Sequence, residues 1–268
     1  MLTIPFPFGR TALFTGLLFL ACANRSEPVQ AIAPGVQPAN FADMALTHQD
    51  SPETAPGIHD SWNNLLQRHV SSSGKVNYKG FIGDKAKLDA YLQTLSENVP
   101  GASASRAEKM AYWINAYNAF TIDLITDNYP LESILKLDGG KTWDVKRITL
   151  GGKKYSLNQN ENEILRPQFN DARIHFAINC AAQSCPPLLN KAGTARILDR
   201  TLDQRARAFI NDAKFNTLTP GSASVSKIFE WYAADFGDLR SYLNQYASVK
   251  LNNPATIGFR EYNWDLNE

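Results

Sequence analysis

The chain has 268 residues, 44% hydrophobic, 20% charged and 11% aromatic, a composition that excludes collagen-like, disulfide-dense and disordered classes. Lys and Arg number 27 against 26 Asp and Glu, so the net charge of +1 offers no electrostatic footprint for a nucleic-acid backbone. The three cysteines, Cys22, Cys180 and Cys185, lack the spaced Cys/His sets of a zinc site, and no glycine pattern cradles a phosphate. No metal, cofactor or nucleic acid is therefore expected.

Residues 1–22 place Arg10 before twelve uncharged residues, Thr11 to Cys22, that end in small side chains, which is the architecture of an export signal. The run is too short to span a hydrocarbon core of roughly 30 Å, so a permanent membrane helix is disfavoured. Two cleavage readings compete. Leu20-Ala21-Cys22 resembles a lipobox that would leave Cys22 lipidated, whereas Ala21-Cys22-Ala23 suits an ordinary signal peptidase. The expected location is periplasmic or outer-membrane, as a lipoprotein, or alternatively secreted, with membrane contact only through the lipid. Residues 23–57 hold five prolines among small and polar residues and read as a linker.

One globular domain is expected over 58–268. Amphipathic spacing predicts helices over 61–69 and 84–96, the second carrying Leu88, Tyr91, Leu92 and Leu95 at three- and four-residue intervals. Ser105-Arg-Ala-Glu108 is a capping-box pattern opening a longer helix to about Asp127, closed by Pro130. Its apolar stripe, Ala111, Ile114, Ile122 and Ile125, includes Asn118 with Asn115 at its edge, and buried amides require partners. Gly151-Gly152 joins two short runs in a predicted hairpin, 146–157. Residues 161–166 read as a helical turn. Alternation in Arg173–Cys180 predicts a strand with Ile174, Phe176 and Ile178 on one face and His175, Ala177 and Asn179 on the other. The remainder predicts a helix over 198–213, a hairpin about Pro220-Gly221, helical segments near Trp231 and over 236–246, and a strand over 257–262. Without a βαβ rhythm, this is an α+β fold: helices packed on a small, mainly antiparallel sheet.

Only four histidines exist, and His175 stands ten residues before Cys185. A bend between them would bring the thiol toward the imidazole, with Cys185 as nucleophile, His175 as base and Asn179 or Glu161 as orienter. The competing reading is a Cys180–Cys185 disulfide stapling the strand end in an oxidising compartment, which removes the nucleophile. Redox exchange and two buried free thiols remain further alternatives. Asn115, Asn118, Trp113 and Arg166 are candidate binding residues, for which backbone-capping, core and ion-pair roles are the structural alternatives.

Five blocks in order, AYWINAYNAF (111–120), SLNQNENEILR (156–166), RIHFAINCAAQSCPPL (173–188), SKIFEWYAADF (226–236) and EYNWDLN (261–267), together resemble the bacterial family called domain of unknown function 547. The resemblance implies an exported or envelope protein whose activity is not established for the family. Its signature positions fall on Trp113, Asn115, Tyr117, Asn118, Glu161, Arg166, His175, Cys185, Pro186, Lys227, Trp231, Asp235 and Phe236. The family's frequent Ile-Glu-His is Asn160-Glu161-Asn162 here. A helix followed by a strand-borne histidine also resembles papain- or transglutaminase-type folds, although their nucleophile opens the helix and no cysteine stands there. The expectation is an exported envelope protein that is either a thiol-dependent hydrolase or transamidase acting on an amide or peptide, or a non-catalytic binding or scaffolding lipoprotein. A peptide, a glycan or an envelope protein is the expected partner.

Overall fold

Helix α4, Arg106–Asp127, is the axis around which the rest packs. Ser105 accepts a hydrogen bond from the Glu108 N–H while the Glu108 carboxylate accepts one from the Ser105 N–H, so the expected capping box is closed. From Met110 to Ala119 every residue is buried, more than a single apolar stripe provides. The helix is therefore interior rather than amphipathic. Ser105→Ala is expected to lower stability by about 1 kcal/mol in urea titration, because the Glu108 N–H at the start of α4 loses its acceptor.

The computed structural model describes residues 57–268. The export signal, the lipidation candidate Cys22 and the linker through residue 56 lie outside the described residues. Helices α2 (Tyr78–Gly83) and α3 (Lys85–Glu97) pack on α4, α1 (Asp60–His69) packs on α2 and α3, and together they bury Trp62, Phe81, Leu88 and Tyr91. Trp62 stacks on Tyr91 with centroids 5.5 Å apart. Helix α2 was not expected: its six residues are too few for a periodic signal, but Asn77 caps it by accepting from the Gly80 N–H.

The predicted hairpin is β1 (Ile148–Leu150) and β2 (Lys153–Tyr155), antiparallel, with Gly151 and Gly152 both at positive φ. Next come α5 (Leu157–Gln159), a π-helical turn over Asn160–Leu165 and α6 (Arg166–Phe169), one continuous right-handed segment. Helix α7 (Leu198–Asn211) and a three-stranded sheet, β3 (Thr217–Leu218), β4 (Ser222–Val225) and β5 (Thr256–Phe259), surround a second apolar cluster. Strand β3 pairs antiparallel with β4 across the expected turn, and β4 runs parallel to β5. Short helices α8 (Ile228–Trp231), α9 (Ala233–Phe236) and α10 (Leu239–Tyr246) fill the crossover. The class is α+β, with helices packed against small sheets.

The strand expected over Arg173–Cys180 is absent. Ala172–Phe176 is a 3-10 helix instead, opened by Asp171, whose carboxylate accepts from the Arg173 N–H. The alternation that suggested a pleat has another origin. Ile174 and Ile178 enter the first apolar cluster and Phe176 the second, so the segment is a partition between two cores. Among the described residues, no helix is long and apolar enough to cross a membrane.

Candidate functional site

The π-helical turn and the 3-10 helix face each other and place Glu161 beside His175. The His175 side chain is 1% exposed, and its Nδ1 lies 3.9 Å from Glu161 Oε1, within ion-pair range but too long for a hydrogen bond. Its other nitrogen, Nε2, lies 2.7 Å from Asp235 Oδ2. A carboxylate only accepts, so Nε2 carries the proton and donates it. Asp235 in turn receives Arg166 Nε on Oδ2 at 2.6 Å and Nη2 on Oδ1 at 2.9 Å, a two-pronged pair. Arg166 Nη1 also donates to Asn162 Oδ1, and the guanidinium lies 5.1 Å from the Tyr232 ring centroid. Tyr232 itself stacks on the His175 imidazole at 3.9 Å.

Burial alone would raise the Asp235 carboxyl, but the hydrogen bonds from His175 and Arg166 outweigh it and hold the group well below the usual carboxylate range. Arg166 is correspondingly raised by its bond to Asp235, with burial opposing. Around Glu161, burial reinforced by its negative charge raises the hydroxyl groups of Tyr117, Tyr232 and Tyr262. Glu161 Oε1 has no hydrogen-bond partner although the residue is 4% exposed. An unpartnered buried carboxylate oxygen and an imidazole nitrogen thus face each other close to Tyr117, Tyr232 and Tyr262, an arrangement able to accept a proton or an N–H.

The cysteines belong to a neighbouring unit. Cys180 and Cys185 are joined in a disulfide with Cα atoms 6.3 Å apart, and in this form neither sulfur is a nucleophile. The Cys180 N–H donates to Cys185 Sγ at 2.9 Å, and the Tyr262 hydroxyl lies 3.2 Å from Cys180 Sγ. The Asn179 side chain holds this loop rather than the imidazole: it donates to Pro186 O and accepts from the Ala181 N–H and from Asn267. Arg205 fixes the loop's far side by donating to the Phe176 and Pro187 carbonyls, and burial pushes its guanidinium down to about 10.

Of the residues expected to form a nucleophile, base and orienter, the structure brings His175 and Glu161 together. The group that fixes the ring is Asp235, 60 residues downstream in the sequence. Its aspartate stands among the family signature positions, but short-range spacing links it to nothing.

The candidate binding amides are satisfied by backbone. Asn115 donates to Gly193 O and accepts from the Gly193 N–H, while Asn118 donates to Ala177 O and accepts from the Asn179 N–H. Both act as clamps from α4 to loops. Trp113 is buried, edge-on to Tyr112 and Tyr155. Trp231, 41% exposed, has its ring centroid 4.8 Å from that of Tyr262 and stacks on Trp264 at 5.8 Å; Trp143 meets Trp264 edge-on at 5.7 Å. Tyr262 thus joins this aromatic cluster to the groups around Glu161. Two cavities, of about 800 and about 470 Å³, lie elsewhere and are lined by neither Glu161 nor His175. Among the described residues, no group of three or more His, Cys, Asp or Glu side chains is placed to hold a metal ion.

No curated protein and no solved structure matches this chain. Residues 102–210 match the model of a family described as "Protein of unknown function, DUF547". Asp235, Tyr232, Trp231 and Tyr262 lie beyond that match, so part of the candidate site is contributed by the C-terminal third. That match takes in α4, Glu161, Arg166, His175 and the Cys180–Cys185 bridge, and over those residues the chain is similar to this family.

Proposed function

We propose that the chain is an exported cell-envelope binding protein that holds an amide-bearing peptide or glycan against the Trp231–Tyr262–Trp264 rim, with the disulfide as a structural staple. One observation carries this reading: the sulfur and the imidazole expected to react together are engaged separately, Cys185 with Cys180 and His175 with Asp235. Aromatic faces with one exposed edge suit ligands that are flat and apolar on one side and polar at the rim. The Arg166–Asp235–His175 chain, buried at its histidine end, then acts as the rigid floor beneath them. The leader and a lipid at Cys22 would deliver the domain to the envelope surface.

The test uses solubilised peptidoglycan fragments, which carry both sugar rings and peptide amides. Saturable quenching of tryptophan fluorescence is expected, weakened about tenfold by Trp231→Ala, equivalent to about 1.4 kcal/mol, with little change in thermal midpoint. No saturable quenching, or quenching indifferent to Trp231, overturns it.

A thiol hydrolase remains the second reading on a single observation, the Cys180 N–H directed at Cys185 Sγ, which would stabilise a thiolate once the bridge is reduced. It requires peptide turnover that appears only with reductant and is lost in Cys185→Ser.

A further inference from the structure

The larger of the two cavities, about 800 Å³, lies between the end of α1, the turn 71–77, Tyr129 and Asn190, and is lined by neither Glu161 nor His175. Its volume falls in the range of small-molecule sites, roughly 300–1,000 Å³. Its lining is cationic. Arg68, Lys75 and Lys79 all border it, with Ser71 and Ser72 supplying hydroxyl groups. A chain whose net charge is only +1 has no general attraction for anions, so three cations around one hollow are a local departure.

These charges are only partly neutralised. Arg68 Nη1 donates to Asp84 at 2.7 Å, but Asp84 is shared with His69 and Lys87. Lys75 Nζ donates to the main-chain oxygen of Glu268 at 3.0 Å, and Lys79 forms no ion pair among the described residues. The carboxylate present, the Glu268 side chain, is held at the edge by the Tyr129 hydroxyl at 3.0 Å.

The turn that carries Lys75 is preformed. Val70 bridges Val76, Ser71 O accepts from the Gly74 N–H, and Ser71 Oγ accepts from the Lys75 N–H. Gly74, at φ +80°, approaches Pro187 so closely that a Cβ would lie 2.4 Å from the proline ring. Any side chain at 74 would push the turn away. Lys75 therefore needs little ordering on binding, which lowers the cost of capturing a ligand.

We propose that this cavity binds a phosphoryl group, with Lys75, Lys79 and Arg68 as its cationic partners and Ser72 as a hydroxyl donor. A compact dianion matches three donors of positive charge better than a single carboxylate does. The same chemistry is presented by a phosphorylated small molecule and by an anionic phospholipid headgroup.

The full chain is titrated with inorganic phosphate at constant ionic strength while the amide resonances of Ser72, Lys75 and Lys79 are followed by NMR, with chloride as the control anion. In parallel it is sedimented with phosphatidylglycerol and with phosphatidylcholine vesicles. A saturable phosphate shift at those amides, absent with chloride and weakened about tenfold in Lys75→Gln/Lys79→Gln, supports the proposal. Phosphatidylglycerol-selective sedimentation lost in the same variant also supports it and assigns the phosphoryl to a lipid headgroup. Lys79→Gln alone, which removes no hydrogen bond or ion pair seen among the described residues, should retain the native melting profile and weaken binding several-fold. Neither phosphate response nor selective sedimentation, or responses unchanged in both variants, overturns the proposal.

Discussion

Asp235→Asn is expected to lower unfolding free energy by about 2–4 kcal/mol and to remove part of the protein's sensitivity to acid. The carboxylate receives two bonds from Arg166 and one from the almost fully buried His175. A neutral amide of the same shape presents one oxygen and one NH2 group, so the Arg166 donor on Oδ1 or those on Oδ2 would face another donor, and the partly buried guanidinium loses its countercharge. Removing one partner of such a pair leaves the other uncompensated, which is why the expected loss exceeds that of an exposed ion pair. For a domain of this size the change corresponds to a fall in melting temperature of roughly 10 °C.

The sign of the pH effect follows from the direction of the shift. Asp235 is held well below its unfolded value, so the unfolded chain binds more protons as acid is added. The stabilisation is complete above about pH 4, the unfolded carboxyl's range, and is lost as pH falls through the lower folded value. His59 works in another window. Burial pushes it down to about 4 against the opposing charge of Asp60, so it disfavours the native state as pH falls from the unfolded histidine range, about 6.5, toward 4. Urea titrations of wild type and Asp235→Asn should therefore run parallel between pH 7 and 4 and converge below it. A constant gap down to pH 2 would show that the Asp235 bonds are not what the acid limb reports.

What the sequence disclosed depended on whether the determining contact was local. The Ser105–Glu108 box closes over three residues and the β1–β2 turn over two glycines, and both stand where the sequence placed them. The helices over α1, α3, α4 and α7 were legible for the same reason: their periodicity is written in neighbouring turns. His175 was legible as a site residue because it is one of four histidines. Its true neighbours were not. Asp235 lies on α9 and Tyr232 at the joint between α8 and α9, and nothing in the local pattern distinguishes an aspartate facing a histidine from one facing water. The 3-10 helix at 172–176 was misread as a strand because two cores on opposite sides of a segment produce the same alternation as the two faces of a sheet. The π-helical turn at 160–165 carries no periodic signature, yet it is what rotates Glu161 toward His175.

Reduction of the Cys180–Cys185 bridge, or its removal in Cys180→Ser/Cys185→Ser, is expected to lower stability by about 2 kcal/mol and the melting temperature by roughly 4–8 °C. The closed loop is short, with a sequence separation of 5, so the unfolded chain gains little freedom when it opens. The fold should survive. Asn179 still joins Pro186 and Ala181, Arg205 still donates to the Phe176 and Pro187 carbonyls, and Ala182 still bridges Leu266, so several independent ties keep the loop in place. Dithiothreitol on the wild type and the double serine variant should give the same melting temperature, because each removes one covalent tie and nothing else. Alkylation completes the argument: a bridging pair is silent in the native protein and reacts at two sulfurs after reduction, whereas a working nucleophile reacts at Cys185 without reductant. Native labelling of Cys185, together with a melting temperature indifferent to dithiothreitol, would return this residue to the role of nucleophile. In that case His175 would have to leave Asp235, or the loop would have to swing, before the two could meet.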